Sequence, residues 1–183
     1  ARPANAAILA RLRIDMEDRG GRLELMLPYA TLEPVRELLL QMVEEAWRMP
    51  NWNETSLQSS LRRVPVEMAA WRPQHAKRSI ADIVVHCAYW KYALWRRLTD
   101  APRGGFPLKG SNWFKLPTSL TESHWREFRE LLEERHEALA AAIRSAKPKE
   151  PAKPDPKDKW TITHNIYWLA IHDGYHTGQI NML

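Results

Sequence analysis

Cysteine is nearly absent from this chain, since Cys87 is the only one among 183 residues. An internal disulfide is therefore excluded, and a reducing, cytoplasmic location is the simplest expectation. Long apolar runs are also missing: no window approaches the roughly 18 apolar residues that a membrane span needs, and we see no apolar segment of a secretory signal. We therefore expect no association with a membrane.

The sequence also lacks a concentration of charge of one sign. Lys and Arg outnumber Asp and Glu by 27 to 22. The one Lys-rich run, residues 147–159, also contains acidic residues and four prolines, which is typical of a solvated linker. A nucleic-acid surface would need basic residues on one ordered face with aromatic side chains between them. We therefore expect no nucleic-acid partner.

No sustained alternation of apolar and polar residues is evident, so we expect no sheet. Four segments instead carry apolar residues at helical spacing, beginning at Thr31, near Ser79, at Thr121 and near Thr161. Ser79 is followed three residues later by an aspartate, which resembles a capping box. Four long helices with long connections predict an all-α four-helix bundle with long crossover loops.

The helical patterns divide the chain into two regions. Residues 31–183 contain all four predicted helices and form the bundle domain. Residues 1–30 are an N-terminal extension of uncertain structure, in which only the segment 7–16 looks weakly helical. Within the bundle, the connection 99–119 is rich in proline and glycine and contains aromatic residues. A connection of that length is either functional or mobile.

Three histidines have positions that suit a shared ligand. His172 and His176 lie four residues apart in the fourth helix, so their side chains are about 40° apart on one face. His86 lies in the second helix at the margin of its apolar stripe. Imidazole is the commonest transition-metal ligand, although each histidine could equally be a solvated or hydrogen-bonded side chain. Because Asp173 follows His172, the general-base glutamate of a zincin protease is missing.

Two stretches of sequence resemble the signatures of a known family. Residues 172–180, HDGYHTGQI, and residues 79–90, SIADIVVHCAYW, are similar to the fourth-helix and second-helix motifs of the DinB-like (DinB/YfiT) superfamily. The resemblance implies a four-helix bundle with a three-histidine metal site formed by His86, His172 and His176. It further implies one divalent transition metal, commonly nickel or zinc in crystals, with the physiological metal left open.

The resemblance also implies a class of function. Some relatives are transferases or isomerases that use a low-molecular-weight thiol. We therefore expect a metal-dependent enzyme that acts on a small molecule by thiol S-transfer or by hydrolysis, with a metal-bound water as the reagent. The alternative is a non-catalytic metal-binding or stress-associated interaction protein.

Four residues near the histidines are candidates for a substrate pocket: Trp90, Trp113, Trp168 and Gln179. Trp90 and Trp168 lie one helical turn from a histidine, and Gln179 lies three residues after His176. Trp113 lies in the long connection and could cover the mouth of the pocket. The alternative for the tryptophans is ordinary core packing, which is the common use of large aromatic side chains.

Two glycines in the fourth helix, Gly174 and Gly178, predict a close approach by another helix, because glycine costs helical stability that such an approach would offset. The neighbouring helix could belong to the same bundle or to a second copy, and a homodimer is thus a further expectation. We expect Cys87 to be a core residue rather than a nucleophile, since it lies in the apolar stripe of its helix.

Overall fold

The fold is described here by a computed structural model, which covers residues 7–16, 19–28, 33–49, 54–74, 76–146 and 160–183. The predicted linker 147–159 lies outside the described residues. For residues 7–28 and for the first two residues of the first helix, the description is limited to the backbone.

Helices dominate the described part of the chain, which confirms the predicted all-α class for the bundle. The six helices are α1 (Glu33–Trp47), α2 (Leu57–Ser60), α3 (Val66–Ala70), α4 (Ile80–Thr99), α5 (Glu122–Ser145) and α6 (Ile162–Met182). Four of them have 15 residues or more. None of these described helices is both long enough and apolar enough to cross a lipid bilayer.

The N-terminal region contains a β-hairpin, so the expectations of no sheet and of a weakly helical 7–16 are wrong. Strand β1 (Ala7–Met16) pairs antiparallel with β2 (Arg19–Pro28), and Met16 lies opposite Arg19. The sequence does alternate here: charged residues at 11, 13 and 15 alternate with apolar residues at 12, 14 and 16. An alternation of six residues is long enough to indicate a strand, so the sequence carried this signal and the expectation of no sheet overlooked it.

The predicted helix starts agree with the structure wherever it describes them. Ser79 caps α4, and its capping box with Asp82 is formed in both directions. Thr121 caps α5 and Thr161 caps α6 through their side chains. The predicted start of α1, Thr31, lies outside the described residues. These caps satisfy the first amide groups of the helices and so fix where each helix begins.

The apolar stripe predicted for α1 is buried only in its second half. Val43 and Trp47 are in the core, whereas Val35 is 46% exposed and Leu38 is 56% exposed. The second half of α1 packs against residues of α4, α5 and α6. Burial of its apolar side chains, together with the ion pair between Glu44 and Arg144 of α5, attaches α1 to the bundle.

A buried ion pair joins α4 to α6. The Lys91 ammonium contacts the Asp173 carboxylate, and their side chains are 0% and 1% exposed. Burial alone would raise the pKa of Asp173, but the charge and hydrogen bond of Lys91, together with the neighbouring His172, outweigh this effect and hold the pKa below its usual range. Lys91 also lies 5.4 Å from the ring of Trp47, which stacks on the buried His136. The pair therefore lies in a low-dielectric region to which all four long helices contribute.

Replacing Lys91 is expected to destabilise the fold strongly. Lys91→Met leaves the Asp173 carboxylate buried without a counter-charge, and such a change costs about 3–5 kcal/mol. Urea unfolding at pH 7, followed by circular dichroism, measures this loss in the free energy of unfolding.

The matched control removes both charges. In Lys91→Met/Asp173→Asn no charge remains buried, so most of the lost stability should return. A single variant as stable as the wild type would show that the pair contributes nothing to holding α4 against α6.

Candidate metal centre

The structure brings the three predicted histidines together at the contact between α4 and α6. The Nε2 atom of His172 lies 3.0 Å from Nε2 of His86 and 3.1 Å from Nε2 of His176. His86 and His176 are buried, at 5% and 4% exposure, whereas the side chain of His172 is 26% exposed. The three rings thus present one nitrogen each to a common point with one partly open side.

The outer nitrogens of two histidines are fixed by oxygen acceptors. His86 Nδ1 is 2.9 Å from the backbone carbonyl of Asn112, and His176 Nδ1 is 2.7 Å from Oε1 of Gln179. Because a carbonyl oxygen only accepts, both Nδ1 atoms carry the hydrogen and donate it. In the neutral rings, the lone pairs of both Nε2 atoms then face the common point.

This arrangement fits a cation better than it fits hydrogen bonds among the rings. One proton on His172 Nε2 could satisfy only one of the two lone pairs directed at it. Two imidazole nitrogens bound to one ion at about 2.1 Å stand about 3.0 Å apart at a right angle and about 3.4 Å apart at a tetrahedral angle. The observed 3.0 and 3.1 Å lie within that range. The three residues therefore fit a divalent transition-metal ion.

The electrostatics keep the rings in the ligating form. Burial, with a smaller contribution from the neighbouring His172, lowers the pKa of His86 to about 4 and that of His176 to about 4. Both imidazoles are therefore neutral at pH 7, with no proton to displace from Nε2.

Asp173 lies beside the cluster without joining it. Its Oδ1 is 3.8 Å from Nδ1 of His172, and neither atom has a hydrogen-bond partner among the described residues. Its other oxygen is held by Lys91. A carboxylate in this position favours the hydrogen on Nδ1 of His172 and thus a lone pair on Nε2. Thr177, one turn later, donates to the backbone carbonyl of Asp173 rather than to the carboxylate.

Residues of the long connection cover one side of His86. Trp113 stacks on the His86 ring at 3.9 Å with an interplanar angle of 5°. Trp90 donates from Nε1 to the side chain of Asn112 at 3.1 Å. Asn112 itself has a φ of 64°, a left-handed conformation that asparagine tolerates better than most residues. In this conformation the backbone carbonyl of Asn112 points at Nδ1 of His86.

The four predicted pocket residues thus have different positions. Trp90 and Trp168 line a groove of about 260 Å³ that reaches His172. Trp113 covers His86 on its ring face. Gln179 is not among the residues that line the groove: its oxygen binds His176 and its amide nitrogen donates to the hydroxyl of Tyr175.

A second group of potential ligands overlaps the first. The ligand atoms of Cys87, His172 and Asp173 also lie within 4.8 Å of one another. Cys87 is 0% exposed, and burial raises the pKa of its thiol well above the usual range. Because the thiolate is the form that binds metals, and Asp173 is already paired with Lys91, the imidazole group is the better site. The predicted core position of Cys87 is confirmed.

The predicted helix approach at the two glycines of α6 does not occur within the described bundle. A Cβ atom at Gly174 or at Gly178 would meet no atom of a neighbouring element within 4 Å. Packing inside the bundle therefore does not explain them, and the homodimer stays a prediction.

Comparison with known proteins places this bundle in a family. The family model of the DinB superfamily matches residues 51–180, which include all three histidines. The chain belongs to the DinB superfamily. The DinB-superfamily region begins after α1, which is thus outside the matched residues. No solved structure matches the chain.

The N-terminal part of this DinB-superfamily chain is similar to a different protein. Residues 1–44 match the family model of the flagellar motor switch protein FliM. The FliM proteins of two strains of Caulobacter vibrioides are 83% identical to the chain over 41 residues, which are 22% of this chain and 11% of FliM. The family-model match, residues 1–44, covers the hairpin and most of α1 and contains none of the three histidines.

Two residues around the site were missed by sequence reasoning. Lys91 falls on the apolar stripe of α4, seven residues after Val84 and four after Cys87, so its helical position indicated burial. Asn112 lies in an irregular connection and acts through its backbone carbonyl, which no side-chain pattern reveals.

The burial of Cys87 predicts an unreactive thiol. Because the side chain is inaccessible and its pKa is raised, the folded protein should not react with Ellman's reagent over minutes at pH 8. The urea-unfolded chain is the control and should react with one equivalent, since Cys87 is the only cysteine. Rapid reaction of the folded protein would contradict the core position.

Proposed function

We propose that this protein binds one divalent transition-metal ion through Nε2 of His86, His172 and His176. The proposal rests on one observation: three Nε2 atoms converge, and the outer nitrogens of two of the rings donate to fixed oxygen acceptors. Such outer hydrogen bonds select the tautomer and hold the orientation of a ligating imidazole. Nickel and zinc both accept imidazole ligands, so the donor set alone does not choose between them.

We further propose that the protein is an enzyme for a small molecule, acting by thiol S-transfer or by hydrolysis. Structural zinc sites are closed by four protein ligands, whereas catalytic sites have three and an open side. Here three histidines are available, and His172 is both partly exposed and part of the wall of a groove. A divalent cation at such a site supplies a Lewis acid that polarises a carbonyl group or lowers the pKa of a thiol or a water molecule.

The surrounding residues contribute orientation and exclusion of water. Asn112 and Gln179 hold the outer nitrogens of two ligands, and Asp173 lies beside the third. Trp113 covers one face of His86 and restricts access from that side. Access from solvent is then along the groove, past Trp90 and Trp168, which is where a substrate would approach.

A second candidate function is a non-catalytic site that fastens α4 to α6. It is favoured by the burial of His86 and His176 on two different helices, since a shared ligand would cross-link them. A fastening role predicts a large fall in the melting temperature on chelation, because a ligand that binds only the folded state adds RT ln(1 + [L]/Kd) to its stability. An enzyme whose bundle is held by its apolar core and by Lys91–Asp173 would lose activity on chelation with a smaller change in melting temperature.

Elemental analysis tests the metal site. Tag-free protein that has been dialysed against zinc or nickel should contain about one metal ion per chain by mass spectrometry, as expected for a three-imidazole site. His172→Ala/His176→Ala should contain almost none, since one imidazole alone binds weakly.

His164→Ala is the matched control for this measurement. His164 also lies on α6, but it stacks on Trp160 at 4.3 Å, outside the three-histidine cluster. It should retain the full metal content. Equal metal content in the double variant and in the wild type, or no metal in any of the three proteins, would contradict the proposed site.

A further inference from the structure

The groove beside His172 is formed by matching faces of two helices. On α4 it is lined by residues spaced i, i+3, i+4 and i+7, which are Trp90, Ala93, Leu94 and Arg97. On α6 the same spacing recurs in Asn165, Trp168, Leu169 and His172. Residues with this spacing share one face of a helix, so the groove runs along both helices rather than across them.

The two helices that form the groove run antiparallel, which determines the residues at each of its ends. The rings of Trp90 and His172 are 6.4 Å apart, whereas Leu94 and Leu169 pack in the same apolar cluster. The helices are therefore antiparallel, and Arg97 lies at the same end as Asn165. Seven residues of helix advance by about 10 Å, which sets the distance from the metal-site end to the Arg97 end.

The lining between these ends is apolar, and the cationic side chain of the lining, Arg97, lies at the far end. Trp90 is 38% exposed and Trp168 is 48% exposed, and they form walls above leucine and alanine side chains. None of the eight lining residues, all within the described part of the chain, is acidic. The guanidinium of Arg97 has five N–H donors, and a carboxylate binds through two of them, so Arg97 can bind an anion while it keeps a contact to another residue. The side-chain amide of Asn165 lies at the same end.

We propose that this groove binds a small amphipathic anion, with its acidic group at Arg97, its apolar body between Trp90 and Trp168, and its other end at His172. The groove volume of about 260 Å³ suits a molecule of this size rather than a peptide or a polymer. Only the role of the His172 end depends on the proposed metal-dependent function. The apolar walls and the cationic end recognise the ligand without a metal.

The test uses 4-phenylbutyrate as the probe and its neutral analogue 4-phenyl-1-butanol as the comparison. Both are titrated by calorimetry into chelator-treated wild-type protein at pH 7.5. The acid should bind with a Kd of about 1 mM or below, as expected for a ligand with so few atoms. The alcohol should bind about fivefold more weakly, because it lacks the charge that Arg97 recognises.

Variants assign the binding to the groove. Arg97→Gln should reduce the affinity for the acid to that for the alcohol and leave the alcohol unchanged. Trp168→Ala should weaken both probes about tenfold through the loss of apolar contact. Arg103→Gln removes the same charge from an exposed residue outside the lining and should change neither. Circular dichroism of each variant checks that it is folded.

The outcomes separate this proposal from that of the metal site. No saturable binding of the acid, or binding that Arg97→Gln and Trp168→Ala leave unchanged, would overturn the assignment of the groove. For the His172 end, zinc-treated protein is titrated with 6-mercaptohexanoate and hexanoate. The thiol should bind at least about tenfold more tightly in the wild type and lose this advantage in His172→Ala. If the titrated wild-type protein contains zinc by elemental analysis, phenylbutyrate binding without that advantage would refute the contact at His172 and leave the rest of the groove assignment in place.

Discussion

The buried ion pair between Lys91 and Asp173 is the constraint on which the site depends. It joins α4 to α6 within a low-dielectric interior, where separating the two charges would be costly. His86 lies on α4 with Lys91, and His172 directly precedes Asp173 on α6, so the register that pairs the charges also brings the imidazoles together. The same register places Trp90 beside His172 and opens the groove along both helices.

Much of this arrangement could be predicted from local spacing. The four-residue interval of His172 and His176 places both rings on one face, and the caps of α4, α5 and α6 follow from Ser79, Thr121 and Thr161. Lys91 and Asp173 also lie at helical intervals within the apolar stripes of their helices. A buried ion pair can be recognised in a sequence when opposite charges occur within the apolar stripes of two neighbouring helices.

Other features depend on contacts that local spacing does not encode. The hairpin of β1 and β2 is stabilised by pairing between the strands, and the alternation of residues 11–16 is the part of the sequence that indicates it. The carbonyl of Asn112 reaches His86 from a connection whose path no periodicity predicts. The FliM-like match ends at residue 44, within α1, and the DinB match begins at 51. Nevertheless Val43, inside the FliM-like match, and Trp47, beyond its end, are both buried in the bundle.

X-ray absorption at the metal edge tests the central claim most directly, because it identifies the atoms bound to the ion. Protein loaded with zinc should show three imidazole nitrogens at about 2.0–2.1 Å, with any further ligand being oxygen, and no sulfur. A sulfur scatterer at about 2.3 Å would place Cys87 on the ion and contradict the three-histidine site. The free thiol, buried with a raised pKa beside Asp173, leads us to expect the nitrogen result.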